Sequence, residues 1–192
     1  QLPLGHAGFM SVGAYASALF TLGTDKNGIP EFLVSLIIGG MVAAVFGLLI
    51  GLPALRLSGD YLAIITLGFG EIIRVVILNL DFTGGAFGLQ GMTRYTDFTT
   101  VFVAVALTLF VIAALIKSRH GRAILAIRED EIAAEASGIP TTYYKTFTFS
   151  VSAFFAGIAG GLYAHHLSIL DPSTFGFLRS VEILVMVVLG GM

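Results

Sequence analysis

Twenty-one consecutive residues, Phe32 to Leu52, carry no charged side chain. As an α-helix they would cover about 32 Å at 1.5 Å per residue, against a lipid hydrocarbon core of roughly 30 Å. Such a run fixes the secondary structure together with the solvent, because inside lipid every backbone N–H and C=O must be satisfied without water. Phe98 to Ile116, a 19-residue run bounded by Asp97 and Lys117, reads the same way. Tyr61 to Leu80 is similarly long but carries Glu71 and Arg74, and Thr146 to Leu167 holds only the adjacent His165 and His166 as titratable groups besides its tyrosine. Ala7 to Gly23 is shorter, with His6 at its edge, and suits a short, broken or re-entrant helix. Ile183 to Met192 is uncharged and 10 residues long, about 15 Å as a helix, which predicts a span cut short. No basic region or small-residue cleavage site follows Gln1, so no signal peptide is visible. The expectation is an all-α, polytopic transmembrane helix bundle of about five spans plus a truncated sixth. It forms one domain over residues 1–192, as a fragment truncated at both ends.

Composition agrees with lipid as part of the solvent. Charged residues make up 11% of the chain and hydrophobic ones 56%, whereas soluble domains carry roughly 25% charge to coat their surface. A net charge of -2 indicates no nucleic-acid partner. The lack of cysteine removes disulfides, thiolate catalysis and cysteine-bound metal. Lys117, Arg119, Arg122, Arg128 and Lys145 crowd into one loop, residues 117–145, which the distribution of basic residues places on the cytoplasmic side. Alternating the spans then puts Arg56 inside as well, leaves Lys26, Arg94 and Arg179 outside, and buries Arg74.

Small residues recur at four-residue intervals: Ala43, Gly47 and Gly51 in one span, Gly157 and Gly161 in another. These ladders let backbones approach closely and predict packed helices rather than separate anchors.

Few residues could carry chemistry. Glu71 and Arg74 share a helix face and predict either a translocation or gating site or an ion pair that fixes register. His165 and His166 point about 100° apart on a helix and have no HExxH-type neighbours, which suits interfacial histidines better than a metal site. His6, within Leu4-Gly5-His6-Ala7-Gly8, is read as a packed or capping residue or a pathway candidate. No phosphate-cradling G-x-x-x-x-G-K-[ST] loop and no G-x-S-x-G elbow occurs. The chain is therefore not expected to be an enzyme, and neither cofactor nor metal is implied. The outer segment Asp81 to Asp97 holds Gly84, Gly85, Gly88 and Gly91, suited to a folded loop, a re-entrant stretch or a flexible connector. The inner loop should be helical in pieces, with Glu129, Asp130 and Glu131 at the start of a second short helix and Gly138 with Pro140 as its stop. Its apolar patch Ala123 to Ile127 reads as a docking element for a cytoplasmic partner.

At this loop the chain resembles the permease subunits of bacterial ABC importers, and more narrowly the branched-chain amino acid permeases of the LivM type. The resemblance rests on Leu4 to Phe9, on Leu57-Ser58-Gly59-Asp60-Tyr61-Leu62 through Gly70-Glu71-Ile72-Ile73-Arg74, on Thr83 to Leu89, and on Gly121 to Gly138. It departs from the usual coupling pattern where Ile132 separates Glu131 from Ala133-Ala134. The resemblance implies a multi-pass permease of the bacterial inner membrane, with branched-chain amino acids arriving from a periplasmic binding protein. It also implies a second permease subunit and separate ATP-binding cassette ATPase subunits. Arg122, Arg128, Glu129, Glu131, Glu135 and Gly138 would then form a cytoplasmic helix pair that couples to the ATPase. Glu71, Arg74, His6, Gly84, Gly85 and Gly88 are the translocation or gating candidates. A permease for urea or another small polar solute, or a secondary transporter using Glu71, is the alternative.

Overall fold

The computed structural model describes residues 4–24, 28–55, 57 and 60–190. Lys26 and Arg56, used above for orientation, and Ser58 and Gly59 of the resembling block lie outside the described residues. Among the described residues eight α-helices follow one another: α1 (His6–Gly23), α2 (Ile29–Ala54), α3 (Asp60–Leu78), α4 (Phe98–Lys117), α5 (Arg119–Glu129), α6 (Glu131–Ala136), α7 (Thr141–Leu167) and α8 (Phe177–Leu189). Four of them, α2, α3, α4 and α7, are long and apolar enough to cross a membrane.

Three helices make the core. Gly13 of α1 packs on Gly157 of α7, Ser17 on Gly161, and Thr21 on His165, a constant offset that sets α1 and α7 parallel. Antiparallel to both, α2 brings Gly39 to Gly13, Ala43 to Gly157 and Gly47 to Ala153. The two ladders thus meet each other. Hydroxyls join the same seam, Ser17 donating to Ser35 at 3.0 Å and Ser150 to the Ala44 carbonyl at 3.0 Å. Lower in the bundle Phe9 meets Phe149 edge-on, with ring centroids 5.4 Å apart.

Where the sequence suggested a short, broken or re-entrant helix, α1 is 18 residues long and unbroken, with ten buried residues. It is less apolar than α2 because its neighbours shield it: protein packing favours glycine, alanine and serine where lipid favours leucine and valine. The opposite case is α4, the most apolar of the four candidate spans, in which no residue is buried.

The outer segment is folded. Turns at Asp81–Thr83 and Gly85–Phe87 lead into β1 (Leu89–Gln90), which pairs antiparallel with β2 (Ile169–Leu170). Gly84 and Gly88 take φ of +82° and +73° to permit this. A methyl group at Gly88 would lie 2.4 Å from the Leu170 carbonyl oxygen, so the strand pairing needs glycine there. From α1, the Tyr15 hydroxyl donates to that same carbonyl at 3.2 Å and ties the outer cap to the core.

Candidate functional site

Two cavities flank α8, one on each side. The outer groove, about 400 Å³, is bounded by Glu71 and Arg74 of α3, by Ser173 and Thr174, and by Arg179 and Glu182 of α8. Three residues apart on one helix face, Glu71 and Arg74 pair at 2.8 Å. Arg179 and Glu182 repeat that spacing and pair at 2.9 Å, with the Arg179 guanidinium 5.8 Å from the centre of the Tyr163 ring. Each charge faces an opposite one, which is how ionisable groups persist near lipid. The nearby turn Pro172–Phe175 is fixed by Asp171, whose carboxylate accepts from the Ser173 hydroxyl and amide. Those two bonds hold its pKa below the usual aspartate value.

The inner cavity is larger, about 760 Å³. His6 lines it where α1 begins, with its Nε2 3.2 Å from the Ser152 hydroxyl of α7. Phe149 and Thr148 add the rest of the α7 wall. Ser180, Ile183, Leu184 and Val187 of α8 form the facing wall, at the i, i+3, i+4, i+7 spacing of one helix face. Ile124, Ile127 and Arg128 of α5, Glu131 of α6, and Tyr144 and Lys145 of α7 border its other end, where Lys145 donates to Glu131. Lys145 is only 11% exposed, so this pair clamps the α5–α6 unit against α7.

The helix pair itself follows the sequence closely. Ser118 caps α5 by accepting from Gly121 N–H at 3.1 Å. Asp130 caps α6, its carboxylate accepting from the amides of Ile132 and Ala133 at 2.9 and 3.0 Å. Gly138, at φ +82°, ends α6 and lets Ile139 N–H donate to the Ala134 carbonyl at 3.1 Å.

Of the residues singled out from sequence, His6, Arg128 and Glu131 come together at the inner cavity, and Glu71 with Arg74 at the outer groove. Arg122, Glu129 and Glu135 stay on the exposed face of the helix pair, Glu129 bonded to Arg128 at 2.7 Å. Gly84, Gly85 and Gly88 shape the outer turns and border neither cavity. Two of these features gain structural detail. The apolar patch Ala123 to Ile127 turns Ile124 and Ile127 toward the chain's own cavity, while Ile132, 81% exposed, is the apolar side chain the pair presents outward. His165, in the last turn of α7, is fully buried within the protein: its Nδ1 lies 2.8 Å from the Gly161 carbonyl, its Nε2 3.1 Å from the Thr21 hydroxyl, and the Phe32 ring packs on it edge-on. It continues the four-residue ladder of Gly157 and Gly161, a signal present in the sequence. Ser152, Ser180 and Lys145 were not anticipated, and only the helical spacing along α8 could have pointed to that wall.

Comparison with known proteins decides the family. A model described as "Branched-chain amino acid transport system / permease component" matches residues 1–192. The chain belongs to that family. The high-affinity branched-chain amino acid permease proteins LivM of Salmonella typhimurium and Escherichia coli are each 38% identical across 100% of this chain and 52% of their own length. A probable LivM of Methanocaldococcus jannaschii is 26% identical over 85% of this chain and 51% of its own. The chain therefore spans about half the length of the curated relatives it matches. No solved structure matches significantly.

Proposed function

We propose that this chain forms the membrane-spanning part of a permease subunit in an ATP-driven importer of branched-chain amino acids. The observation that carries the reading is an overall 38% identity to LivM in an alignment that covers the whole chain, inner helix pair included. In this reading α1, α2, α3, α4 and α7 cross the bacterial inner membrane and α8 enters it as the sixth span. A periplasmic binding protein delivers the amino acid, a second permease subunit completes the pore, and two ATPase subunits dock beneath α5 and α6.

Physical chemistry supports this division of labour. The α6 cap places Ile132 and Glu135 on an exposed face, a small apolar spot within charge that suits a protein partner. Closure of an ATPase dimer would displace α5 and α6, and the Lys145 to Glu131 clamp would pass that movement to α7 and the cavity wall. The outer groove and inner cavity, separated by α8, are then alternately opened to the two sides of the membrane.

Uptake of labelled leucine, with urea as competitor, into cells carrying the full-length subunit and its partners tests the reading. ATP-dependent leucine uptake that urea leaves untouched is expected. Urea uptake in its place, or leucine uptake that survives ATP depletion and collapses with the proton gradient, would sink it. Charge reversal at Arg128 and Glu131 together should lower co-purification of the ATPase subunit. Undiminished association would remove those residues from the coupling role.

A further inference from the structure

We propose that the inner cavity holds an anionic phospholipid of the cytoplasmic leaflet. Its headgroup phosphate would lie at Arg128 and Tyr144, and one acyl chain between Phe149 and the Ile183, Leu184 and Val187 face of α8. The proposal goes beyond the importer reading and does not depend on the cargo: a chain that enters from the bilayer leaves the same way when the cavity opens inward.

The cavity is layered along the membrane normal much as a lipid is. At its inner end α7 carries an aromatic cluster, Tyr143 stacked on Phe147 with ring centroids 6.4 Å apart and His120 of α5 6.0 Å from the Tyr144 ring. Tyrosines gather at headgroup depth, which sets the level of the neighbouring Lys145. Phe149 comes one helical turn further along α7, about 6 Å deeper, and Ile183, Leu184 and Val187 face the cavity from α8. Ser152 and His6, paired with each other, close the deep end. A volume of about 760 Å³ lies within the range of roughly 300 to 1,000 Å³ found for ligand pockets. Val187 borders the cavity yet is half exposed, and Met186 and Leu189 beside it are more so, which leaves an open apolar edge. Hydrocarbon passes such an edge at less cost than a charged solute.

Charge complementarity selects the headgroup. Among the described residues bordering the cavity, Arg128 and Lys145 are basic and Glu131 is acidic, accepting from Lys145. Arg128 donates from Nε and Nη2 to a single oxygen of Glu129, which leaves three of its five N–H groups. The two side chains of that pair are 72% and 73% exposed, where an ion pair contributes little and exchanges readily for a phosphate gripped by two bonds. The Tyr144 hydroxyl makes no hydrogen bond among the described residues and is able to donate to the same phosphate. Lys117, Arg119 and Arg122 add basic surroundings of the kind that gather anionic lipid at the cytoplasmic face.

The test cross-links lipid to the assembled complex, full-length subunit included, in vesicles of phosphatidylglycerol and phosphatidylcholine. A phosphatidylglycerol with a diazirine on its acyl chain is photolysed and its adducts are mapped by mass spectrometry. Helix α4, with no buried residue in this chain, supplies the reference for bulk lipid, and cavity adducts are counted relative to those on α4. Adducts are expected at Phe149, Ile183, Leu184 or Val187, and excess unlabelled phosphatidylglycerol should remove them where phosphatidylcholine does not. Arg128→Gln should lower this relative labelling roughly fivefold, and Arg128→Lys should restore most of it. Arg119→Gln removes the same charge from the same helix but borders neither cavity, so labelling should hold. Equal losses for Arg128→Gln and Arg119→Gln would reduce the effect to surface potential and overturn the site. Absence of cavity adducts, or equal displacement by the two lipids, would overturn it as well. Displacement by inorganic phosphate would assign the basic rim to the free anion and refute the lipid.

Discussion

Gly160 gives the sharpest test of how the core is held. A methyl group there would lie 1.9 Å from the Met10 carbonyl oxygen and 2.9 Å from the Ala14 nitrogen, both backbone atoms of α1. Ordinary contact begins near 3.4 Å, so Gly160→Ala must push α1 and α7 apart by about 1.5 Å. That opening would also loosen the Gly13 to Gly157 and Ser17 to Gly161 contacts on the same seam, where dispersion falls by a quarter to a half for a gap of about 1 Å. Overpacking costs roughly 1 to 3 kcal/mol, and unyielding backbone places this case near the top. Alanine's better helix propensity offsets about 1 kcal/mol, leaving a net loss of about 2 kcal/mol. Gly68→Ala is the control, since nothing lies within 4 Å of a methyl group at that position and only the propensity gain remains. Thermal unfolding of both purified variants in detergent checks the pair. At roughly 2 to 4 °C per kcal/mol, Gly160→Ala should melt about 4 to 8 °C below the parent, and Gly68→Ala at or above it. Equal midpoints for the two variants would refute the close-packed seam.

Gly88→Ala should unpair β1 from β2 at a cost of about 1 to 3 kcal/mol, because it forces a side chain into a backbone region open almost only to glycine. Faster hydrogen exchange at residues 89–90 would report the loss, whereas Gly85→Ala, with its nearest atom at 3.5 Å, should do less. Asp130→Ala should weaken α6 by about 1 kcal/mol and Asp130→Asn by much less, read as exchange protection across residues 131–136. Asp171 gives a pH signature. Its folded pKa lies below the unfolded value of 3.8, so its capping contribution is complete above that pH and is lost as pH falls through the lowered folded value. A carboxyl carbon shift that titrates below 3.8, assigned with Asp171→Asn, is expected, and titration at or above 3.8 would contradict the bond to Ser173.

Much of this architecture is legible in the sequence because lipid leaves so little choice. Phe32 to Leu52 became the centre of α2, and the run beginning at Phe98 became α4 almost to the residue. Hydropathy served less well for α1, whose glycines and serines face protein and therefore need not be apolar. Ladder spacing identified the surfaces of α2 and α7 that pack, since a four-residue interval returns to one face of a helix. The outer cap was less accessible, because pairing Leu89 with Leu170 joins residues 81 positions apart through two short strands. Likewise, the charge of Glu71 and Arg74 announced a polar place, yet the groove also needs Arg179 and Glu182, brought there only by the turn at Pro172–Phe175. Ser180 gave no local signal, since a lone serine in a span is unremarkable until its surroundings are assembled.

The bare surface of α4 has a mechanical consequence. Within this chain no α4 side chain is buried, so tilting that helix breaks little packing against the three-helix core. Its inner end joins α5 through Ser118 alone. The chain therefore suspends the α5–α6 pair from a compliant rod on one side and from the rigid α7 on the other. A push from below would swing the pair about its α4 end and be felt mainly at Lys145, making α7 the output arm of the lever.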